Sequence, residues 1–486
     1  MALQVDRTPL DPIAVCAWPA GNSAAAAAAL RPLLDEDAPG TGLEPDRLAE
    51  HLIALARRYG TEPFTPLESA RRGLGLDRAT FSRVLAVFYR TPALRTAVEQ
   101  GPAGMYWTNT ILPLERRGVL DAVVRGEPAF PYSVGLYPGP SCMFRCHFCV
   151  RVTGARYQQS ALTDGNAMFA SLIDRMPTDN PHALYLSGGL EPLTNPGTGD
   201  LVRRAAARGF KLSLYTNSFA LTRQTLDRQP GLWDLYALRT SLYGLSEDDY
   251  VATTTKKGAF QRVKDNLTRF QALRREREAP VRLGLNYIIL PGRAGRLIGL
   301  ADYIADLNDA APDRPVDFLT LREDYSGRPD GKLAPEERGE LEHGLAAFEE
   351  RIRTRAPSLH IDYGYALQSL RLGVDAELPR IRPETMRPTA HPQVAVQVDL
   401  LGDVYLYREA GFPGLQGAER YVAGRLTTGT GLEEVVRRFV TEGRQVAPRP
   451  GEEYFLDGFD QTVTARLNQL EADIADGWAE QRGFLR

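Results

Sequence analysis

Cysteine is scarce in this chain, which has 4 cysteines among 486 residues. So few cysteines argue against a fold held together by disulfide bonds. Long apolar runs are also missing, because no window of about 20 residues is apolar enough to span a bilayer. The first residues lack the basic stretch and apolar core of a secretory signal. We therefore expect a cytoplasmic protein with no membrane partner.

A strong charge of one sign is the next missing feature, since the formal net charge is only -3 at pH 7. This balance argues against a nucleic-acid partner, although it leaves room for a local basic pocket. Hydrophobic residues at 43% and charged residues at 24% are ordinary values for a globular protein. The length predicts two or three domains, because single cores stop growing at roughly 250 to 300 residues.

The residue pattern divides the chain into four segments. Residues 1–40 combine an alanine run with Gly and Pro and are expected to be weakly ordered. Residues 41–128 carry apolar side chains at spacings of three and four, which predicts an α-helical domain. Residues 129–370 alternate β-rich and helical stretches. Residues 371–486 are interpreted as a smaller α+β cap with a β-hairpin and helices.

The central segment predicts an α/β fold with a parallel sheet. Its β-rich runs lie at 132–137, 183–187, 211–217, 236–242, 282–290 and 316–322, and a further strand is predicted within 359–367. Alternation with helices implies right-handed crossovers, in a doubly wound sheet or a partial barrel. In such folds the chemistry gathers at the carboxyl ends of the strands.

Three of the cysteines lie together, in the stretch GPSCMFRCHFCVRVTGARY directly after the first predicted strand. Cys142, Cys146 and Cys149 follow a C-x3-C-x2-C spacing, whereas Cys16 lies far upstream. A structural zinc ion would need a fourth ligand, and the nearby histidine, His147, lies between two of the cysteines. An iron–sulfur cluster held by three thiolates would instead keep one iron open to a small molecule. We favour the cluster and keep zinc as the alternative.

The C-x3-C-x-aromatic-C pattern, with Phe148 as the aromatic residue, resembles the radical S-adenosylmethionine (SAM) superfamily. This resemblance implies a partial (β/α)6 barrel similar to a TIM barrel and a [4Fe-4S] cluster held by Cys142, Cys146 and Cys149. It also implies that the cluster chelates SAM and cleaves it reductively to a 5'-deoxyadenosyl radical. The electron would come from an external donor such as flavodoxin or ferredoxin.

Other segments fit the same resemblance. SGGLEP, from Ser187 to Pro192, is similar to the superfamily's GGE motif, although Leu190 separates its second glycine from the glutamate. Ser241 ends the fourth predicted strand and Asn286 lies in the fifth, where the superfamily has polar SAM contacts. The cofactor-binding residues implied are Phe148, Ser187, Gly188, Gly189, Glu191, Ser241 and Asn286.

Similarity to one radical SAM family extends over most of the chain. Segments such as SGGLEPLTNPG, LYTNSFALT, REDYSGRPDGK and DGFDQTVTARLNQLE resemble the TDP-4-amino-4,6-dideoxy-D-glucose deaminases of desosamine biosynthesis, the pathway to a macrolide amino sugar. The family resemblance implies a lyase that takes hydrogen from carbon 3 of this sugar nucleotide. It would expel the 4-amino group as ammonia and give TDP-3-keto-4,6-dideoxy-D-glucose.

This chemistry calls for a base and an anion site. A radical at carbon 3 becomes a better electron donor when the neighbouring hydroxyl loses its proton, so a base must lie near that oxygen. Glu323 and Asp324, just after the sixth predicted strand, are the candidates. Two phosphates call for cationic side chains. The candidates are Arg322, Arg293, Arg408, Lys256 and Lys257.

Other functions remain open from the sequence. Radical SAM dehydrogenation at carbon 3, or aminomutase chemistry, would act on a related nucleotide sugar. A zinc-stabilised binding protein would use the same cysteines without SAM. A second cysteine-ligated cluster is not expected, because Cys16 is the one spare cysteine.

Overall fold

The computed structural model describes residues 23–34, 38–147, 149, 154–323, 335–374, 390–427, 429–452 and 455–481. Cys16, Phe148, Asp324 and the side chain of Glu323 lie outside the described part of the chain. Most of the segment predicted to be weakly ordered, residues 1–40, also lies outside it.

The N-terminal part is helical, as its apolar periodicity predicts. Its helices are α1 (Ser23–Leu30), α2 (Ala38–Thr41), α3 (Pro45–Thr61), α4 (Leu67–Gly73), α5 (Arg78–Arg90), α6 (Pro92–Gln100), α7 (Gly104–Tyr106), α8 (Leu112–Arg116) and α9 (Val119–Arg125). A π-helical turn, Trp107–Ile111, joins α7 to α8. The apolar stripes of these helices enclose a core that includes Leu52, Phe81 and Trp107, and the later residues Tyr365 and Trp478 contribute to it.

A ten-stranded sheet follows. Its strands are β1 (Ser133–Tyr137), β2 (Leu184–Leu186), β3 (Ser213–Thr216), β4 (Ala237–Leu242), β5 (Arg282–Ile289), β6 (Phe318–Glu323), β7 (His360–Tyr363), β8 (Ala395–Asp399), β9 (Asp403–Tyr405) and β10 (Val422–Arg425). Their order is β10-β9-β8-β1-β2-β3-β4-β5-β6-β7. Strands β1 to β7 are parallel neighbours, so their carboxyl ends meet at one edge.

Helices connect the parallel strands. They are α10 (Ala161–Arg175), α11 (Thr198–Ala207), α12 (Arg223–Arg228), α13 (Glu247–Thr254), α14 (Ala259–Glu276), α15 (Leu297–Asp309), α16 (Pro335–Arg355) and α17 (Tyr365–Arg371). The C-terminal part adds α18 (Leu432–Thr441) and α19 (Gly458–Ala475). The predicted fold class, a partial barrel of βα units between helical and α+β regions, is confirmed.

The C-terminal hairpin departs from the simple six-strand picture because it joins the main sheet. Strand β8 pairs in parallel with β1, from Ser133 opposite Ala395 to Tyr137 opposite Asp399. Strand β9 then turns back antiparallel to β8. The predicted domain boundary near residue 370 stays a prediction.

The two faces of the sheet differ in polarity. Register places Val134, Leu136, Leu186, Leu214 and Leu238 on one face, where they belong to the main apolar core. The other face, which we call the inner face, carries polar and aromatic side chains. They include Tyr185, Tyr215, Arg239, Asn286, Thr320, Asp362 and Gln397.

Helix α19 and the N-terminal helices pack together. Asp473 of α19 accepts the backbone N–H of Leu67 at 2.7 Å, and Arg466 Nε donates to Glu115 Oε1 at 2.8 Å. The π-helical turn reaches the sheet, where Asn109 Nδ2 donates to Asp362 Oδ2 at 3.3 Å. None of the described helices combines the length and apolar character that crossing a bilayer requires.

Candidate active site

A pocket of about 170 Å³ opens at the carboxyl ends of β1 to β4. Four successive strand ends contribute to its wall, which is where a parallel αβ sheet places its functional loops. Its lining includes Cys142, Cys146, Cys149, Ser187, Gly188, Glu191, Tyr215, Thr216, Asn217, Ser241 and Tyr243.

The three cysteines lie on one loop, which contacts α13 and the segment before it. The backbone N–H groups of Arg145 and His147 donate to the carbonyls of Thr254 and Thr253, at 3.0 and 3.2 Å. Phe144 is buried and its ring packs edge-on against that of Tyr243, with centroids 5.4 Å apart. These contacts fix the loop against α13, so all three half-buried cysteines face one pocket.

The cysteines are the part of the pocket suited to a metal cofactor. Within the described ranges, no three His, Cys, Asp or Glu side chains lie close enough to hold a single metal ion. His147, the fourth ligand considered for zinc, is exposed and is not part of the pocket lining. Three thiols on one wall match the ligand chemistry of an iron–sulfur cluster.

Glu191 joins the cysteine loop to the loops after β2 and β3. Its side chain is 3% exposed, so its charge needs internal partners. Oε1 accepts the Thr216 hydroxyl at 2.5 Å, and Oε2 accepts the Asn217 N–H at 2.9 Å. Its own N–H donates to the Ser141 carbonyl at 3.0 Å. The carboxylate therefore fixes the shape of the pocket.

The two glycines before Glu191 permit close packing. Gly188 lines the pocket, whereas Gly189 does not. A Cβ atom on Gly189 would lie 2.4 Å from the Gly411 carbonyl oxygen, so only glycine lets the segment after β9 approach this loop. Ser187 extends β2 by donating its N–H to the Leu136 carbonyl at 3.1 Å.

The two predicted polar contacts on β4 and β5 are neighbours. Ser241 lines the pocket, and Asn286 is its register partner on the inner face. Asn286 is half-buried and lies beyond the pocket lining.

The predicted phosphate-binding cations lie outside this lining. Arg293 is buried and donates to the Tyr243 carbonyl at 2.7 Å and to the Thr253 hydroxyl at 2.9 Å, so it holds the loop behind the pocket. Arg408 lies over the Phe459 ring at 4.2 Å and pairs with Asp457 at 3.3 Å.

The remaining cations predicted to bind phosphate are more exposed to solvent. Arg322 is exposed on β6, and Lys257 is exposed beyond α13. The Lys256 ammonium lies 5.4 Å from the centroid of the Phe219 ring. Substrate binding by all five cations stays a prediction.

Sequence reasoning missed the residues at the carboxyl end of β3. The Asn217 amide donates to Met143 Sδ at 3.3 Å and approaches Cys142 Sγ at 3.9 Å, and its carbonyl accepts the Phe219 N–H at 2.9 Å. Tyr215, Thr216 and Asn217 all line the pocket. Their position at a carboxyl strand end was the signal that could have identified them.

Thiols, a buried carboxylate and backbone groups around one pocket at the carboxyl edge of parallel strands define an α/β-barrel enzyme with a cysteine-bearing active site. No protein-family model matches the chain. The chain is 65% identical over 474 residues to dTDP-4-amino-4,6-dideoxy-D-glucose ammonia-lyase of Streptomyces venezuelae, covering 97% of each chain. It belongs to the dTDP-4-amino-4,6-dideoxy-D-glucose ammonia-lyase family, and the family predicted from its motifs is confirmed.

Solved structures show weaker similarity. Native anSMEcpe with bound AdoMet is 13% identical at a TM-score of 0.42, covering 72% of this chain and 98% of that one. SuiB of Streptococcus suis bound to its precursor peptide SuiA is 13% identical at a TM-score of 0.41, covering 61% of this chain and 64% of that one. Similarity at this level supports no argument about the present chain.

Proposed function

We propose that this chain is a radical SAM ammonia-lyase that converts TDP-4-amino-4,6-dideoxy-D-glucose to TDP-3-keto-4,6-dideoxy-D-glucose and ammonia. The observation that carries the proposal is the 65% identity, over 97% of both chains, to a relative named for ammonia release from this sugar nucleotide. That name favours a lyase over the dehydrogenase and aminomutase alternatives. A place in desosamine-type biosynthesis is part of the same proposal.

We infer that Cys142, Cys146 and Cys149 hold a [4Fe-4S] cluster. Their common position on one pocket wall and the thiol chemistry of iron–sulfur ligation support this assignment. Together with SAM, such a cluster supplies a carbon-centred radical that removes hydrogen from carbon 3. The electron donor would be a separate protein such as flavodoxin or ferredoxin.

The residues of this chain bind SAM and orient it in the pocket. Ser187, the Gly188 backbone and Ser241 offer polar groups in the pocket that the thiols also line and are the proposed SAM contacts. The Glu191 carboxylate is engaged by the loops around it, so we assign it to positioning these contacts. Asn286 is the register partner of Ser241 and lies on the same inner face of the sheet.

The elimination needs a proton acceptor at the carbon 3 hydroxyl. Loss of a hydrogen atom from carbon 3 and of a proton from its oxygen gives a ketyl radical anion, which breaks the bond from carbon 4 to nitrogen. The amine takes up a proton and leaves as ammonia, and the radical left at carbon 4 takes one electron from the donor protein and one proton to give the 4-deoxy ketone. Glu323, at the carboxyl end of β6, and Asp324 after it remain the proposed bases.

The test is an anaerobic assay of the iron-loaded full chain with reductant, SAM and the amino sugar nucleotide, in which 5'-deoxyadenosine and ammonia are measured together. We expect both products to depend on substrate and to disappear in C142A, C146A and C149A. C16A is the matched control and should retain activity. Formation of deoxyadenosine without ammonia would contradict the proposed substrate. Absence of both products from iron-loaded protein would contradict the assignment of the cysteines.

A further inference from the structure

The inner face of the sheet carries a cation, Arg239, to which the proposed reaction assigns no role so far. Arg239 lies on β4, opposite Tyr215 of β3 in register, and two residues before the pocket-lining Ser241. Its guanidinium carbon lies 5.4 Å from the centroid of the Tyr215 ring and 4.5 Å from that of the Phe318 ring. Tyr215 also lines the pocket, so Arg239 contacts a residue of the pocket wall without being part of the lining itself.

Arg239 is half-buried, and unlike the three buried arginines of the described part of the chain it has no carboxylate partner. Arg274 pairs with Asp317 at 2.8 Å, Arg466 bonds to Glu115, and Arg293 lies 3.5 Å from Asp249. Among the residues that the structure describes, Arg239 forms no ion pair or hydrogen bond, and its buried Nε lacks a partner. A half-buried guanidinium whose buried Nε lacks a partner gains from a counter-charge, so this position suits an anion from outside the chain.

The Asp362 carboxylate interacts electrostatically with Arg239 but does not neutralise its charge. Burial raises the pKa of Asp362, and the charges of Arg322, His360 and Arg239 lower it. The Asp362 carboxylate is held by Asn109 at 3.3 Å, and no ion pair joins it to Arg239 in the described part of the chain. Burial lowers the pKa of His360, so this imidazole is neutral at neutral pH, and the positive charge beside the Asp362 carboxylate comes from Arg239 and Arg322.

We propose that Arg239 binds the diphosphate of the sugar nucleotide on the inner face of the barrel, which rests on the proposed function. A guanidinium presents a planar fork of N–H donors that matches phosphate oxygens, and rings on its flanks hold the fork in orientation. Two residues along a strand span about 7 Å. A diphosphate at Arg239 therefore leaves its hexose within reach of the pocket at Ser241.

The test measures binding of dTDP and of thymidine to the iron-loaded full chain by anaerobic calorimetry. Arg239→Gln removes the charged fork, so the Kd for dTDP should rise about 10- to 100-fold, as expected for hydrogen bonds to a charged group. The Kd for thymidine, which lacks phosphates, should stay unchanged. Arg239→Lys keeps the charge without the fork and should recover part of the dTDP affinity.

Arg282→Gln is the matched control. Arg282 lies over the same Phe318 ring at 5.2 Å, but it already faces Asp317 at 3.9 Å. Its dTDP affinity should equal that of the unmodified chain. Equal dTDP losses in the Arg239 and Arg282 variants would show a packing effect and overturn the proposal.

The outcomes separate this inference from the proposed function. If the unmodified chain does not bind dTDP, the assignment of a TDP-sugar substrate fails. If the unmodified chain binds dTDP and Arg239→Gln binds it equally well, the proposed function stands and the role of Arg239 is wrong. Should Arg239→Gln fail to fold, unchanged dTDP affinity in Arg239→Lys would overturn binding by the fork.

Discussion

The Glu191 carboxylate accepts the backbone N–H of Asn217 at 2.9 Å and thereby joins the loop after β2 to the end of β3. Its other oxygen holds the Thr216 hydroxyl. The pocket wall next to Cys142 therefore depends on one buried anion.

Glu191→Gln should destabilise the protein and weaken SAM binding. An amide N–H₂ would replace one of two oxygens that now face donors, which costs about 1 to 3 kcal/mol. Urea unfolding gives the free energy, and calorimetry gives SAM affinity. The control is Glu276→Gln, at an exposed site on α14. Unchanged stability in Glu191→Gln would show that the carboxylate does not hold these loops.

Asn217→Asp should reduce iron loading. The aspartate can still accept the Phe219 N–H, but it replaces the amide donor near Met143 Sδ and Cys142 Sγ with a negative charge. Repulsion from neighbouring thiolates disfavours the bound state. We expect at least about a two-fold fall in iron per chain, measured colorimetrically after reconstitution. Iron content equal to that of the unmodified chain would contradict a cofactor beside Cys142.

Gly189→Ala should distort the contact between the loop after β2 and the segment after β9. The added methyl would lie 2.4 Å from the Gly411 carbonyl oxygen, and overpacking of this kind costs about 1 to 3 kcal/mol. Thermal unfolding measures the loss. Gly339→Ala, on α16 where a Cβ meets nothing within 4 Å, is the control and should be neutral or slightly stabilising.

His391 should make stability fall as the pH falls. Burial lowers the pKa of His391 to about 4 from its ordinary 6.5. The unfolded chain then binds the extra proton between these values, so folding loses about 2 kcal/mol between pH 7 and pH 5. His391→Gln should remove this part of the slope in urea unfolding, whereas His343→Gln, at an exposed site, should keep it. An unaltered slope in His391→Gln would refute the prediction.

Local patterns were enough to predict the strands and the edge where the site lies. The runs around β1 to β7 are β-rich and alternate with helices, and parallel strands must bring their carboxyl ends together. The pairing of β8 with β1 could not be predicted, because it joins segments far apart in sequence. The same holds for the contacts of Arg293, whose partners come from α13 and the loop before it. The isolation of Arg239 depends equally on long-range packing.

The core shared by α19 and the N-terminal helices has a consequence for biosynthesis. Trp478, which follows α19, packs edge-on against Phe81 of α5, with ring centroids 5.5 Å apart. A ribosome releases α5 long before it releases Trp478. The hydrophobic core of the N-terminal helices therefore stays incomplete while the barrel is being translated. Folding of this unit therefore finishes after translation of α19, and chains that stop before it expose that interior to chaperones and proteases.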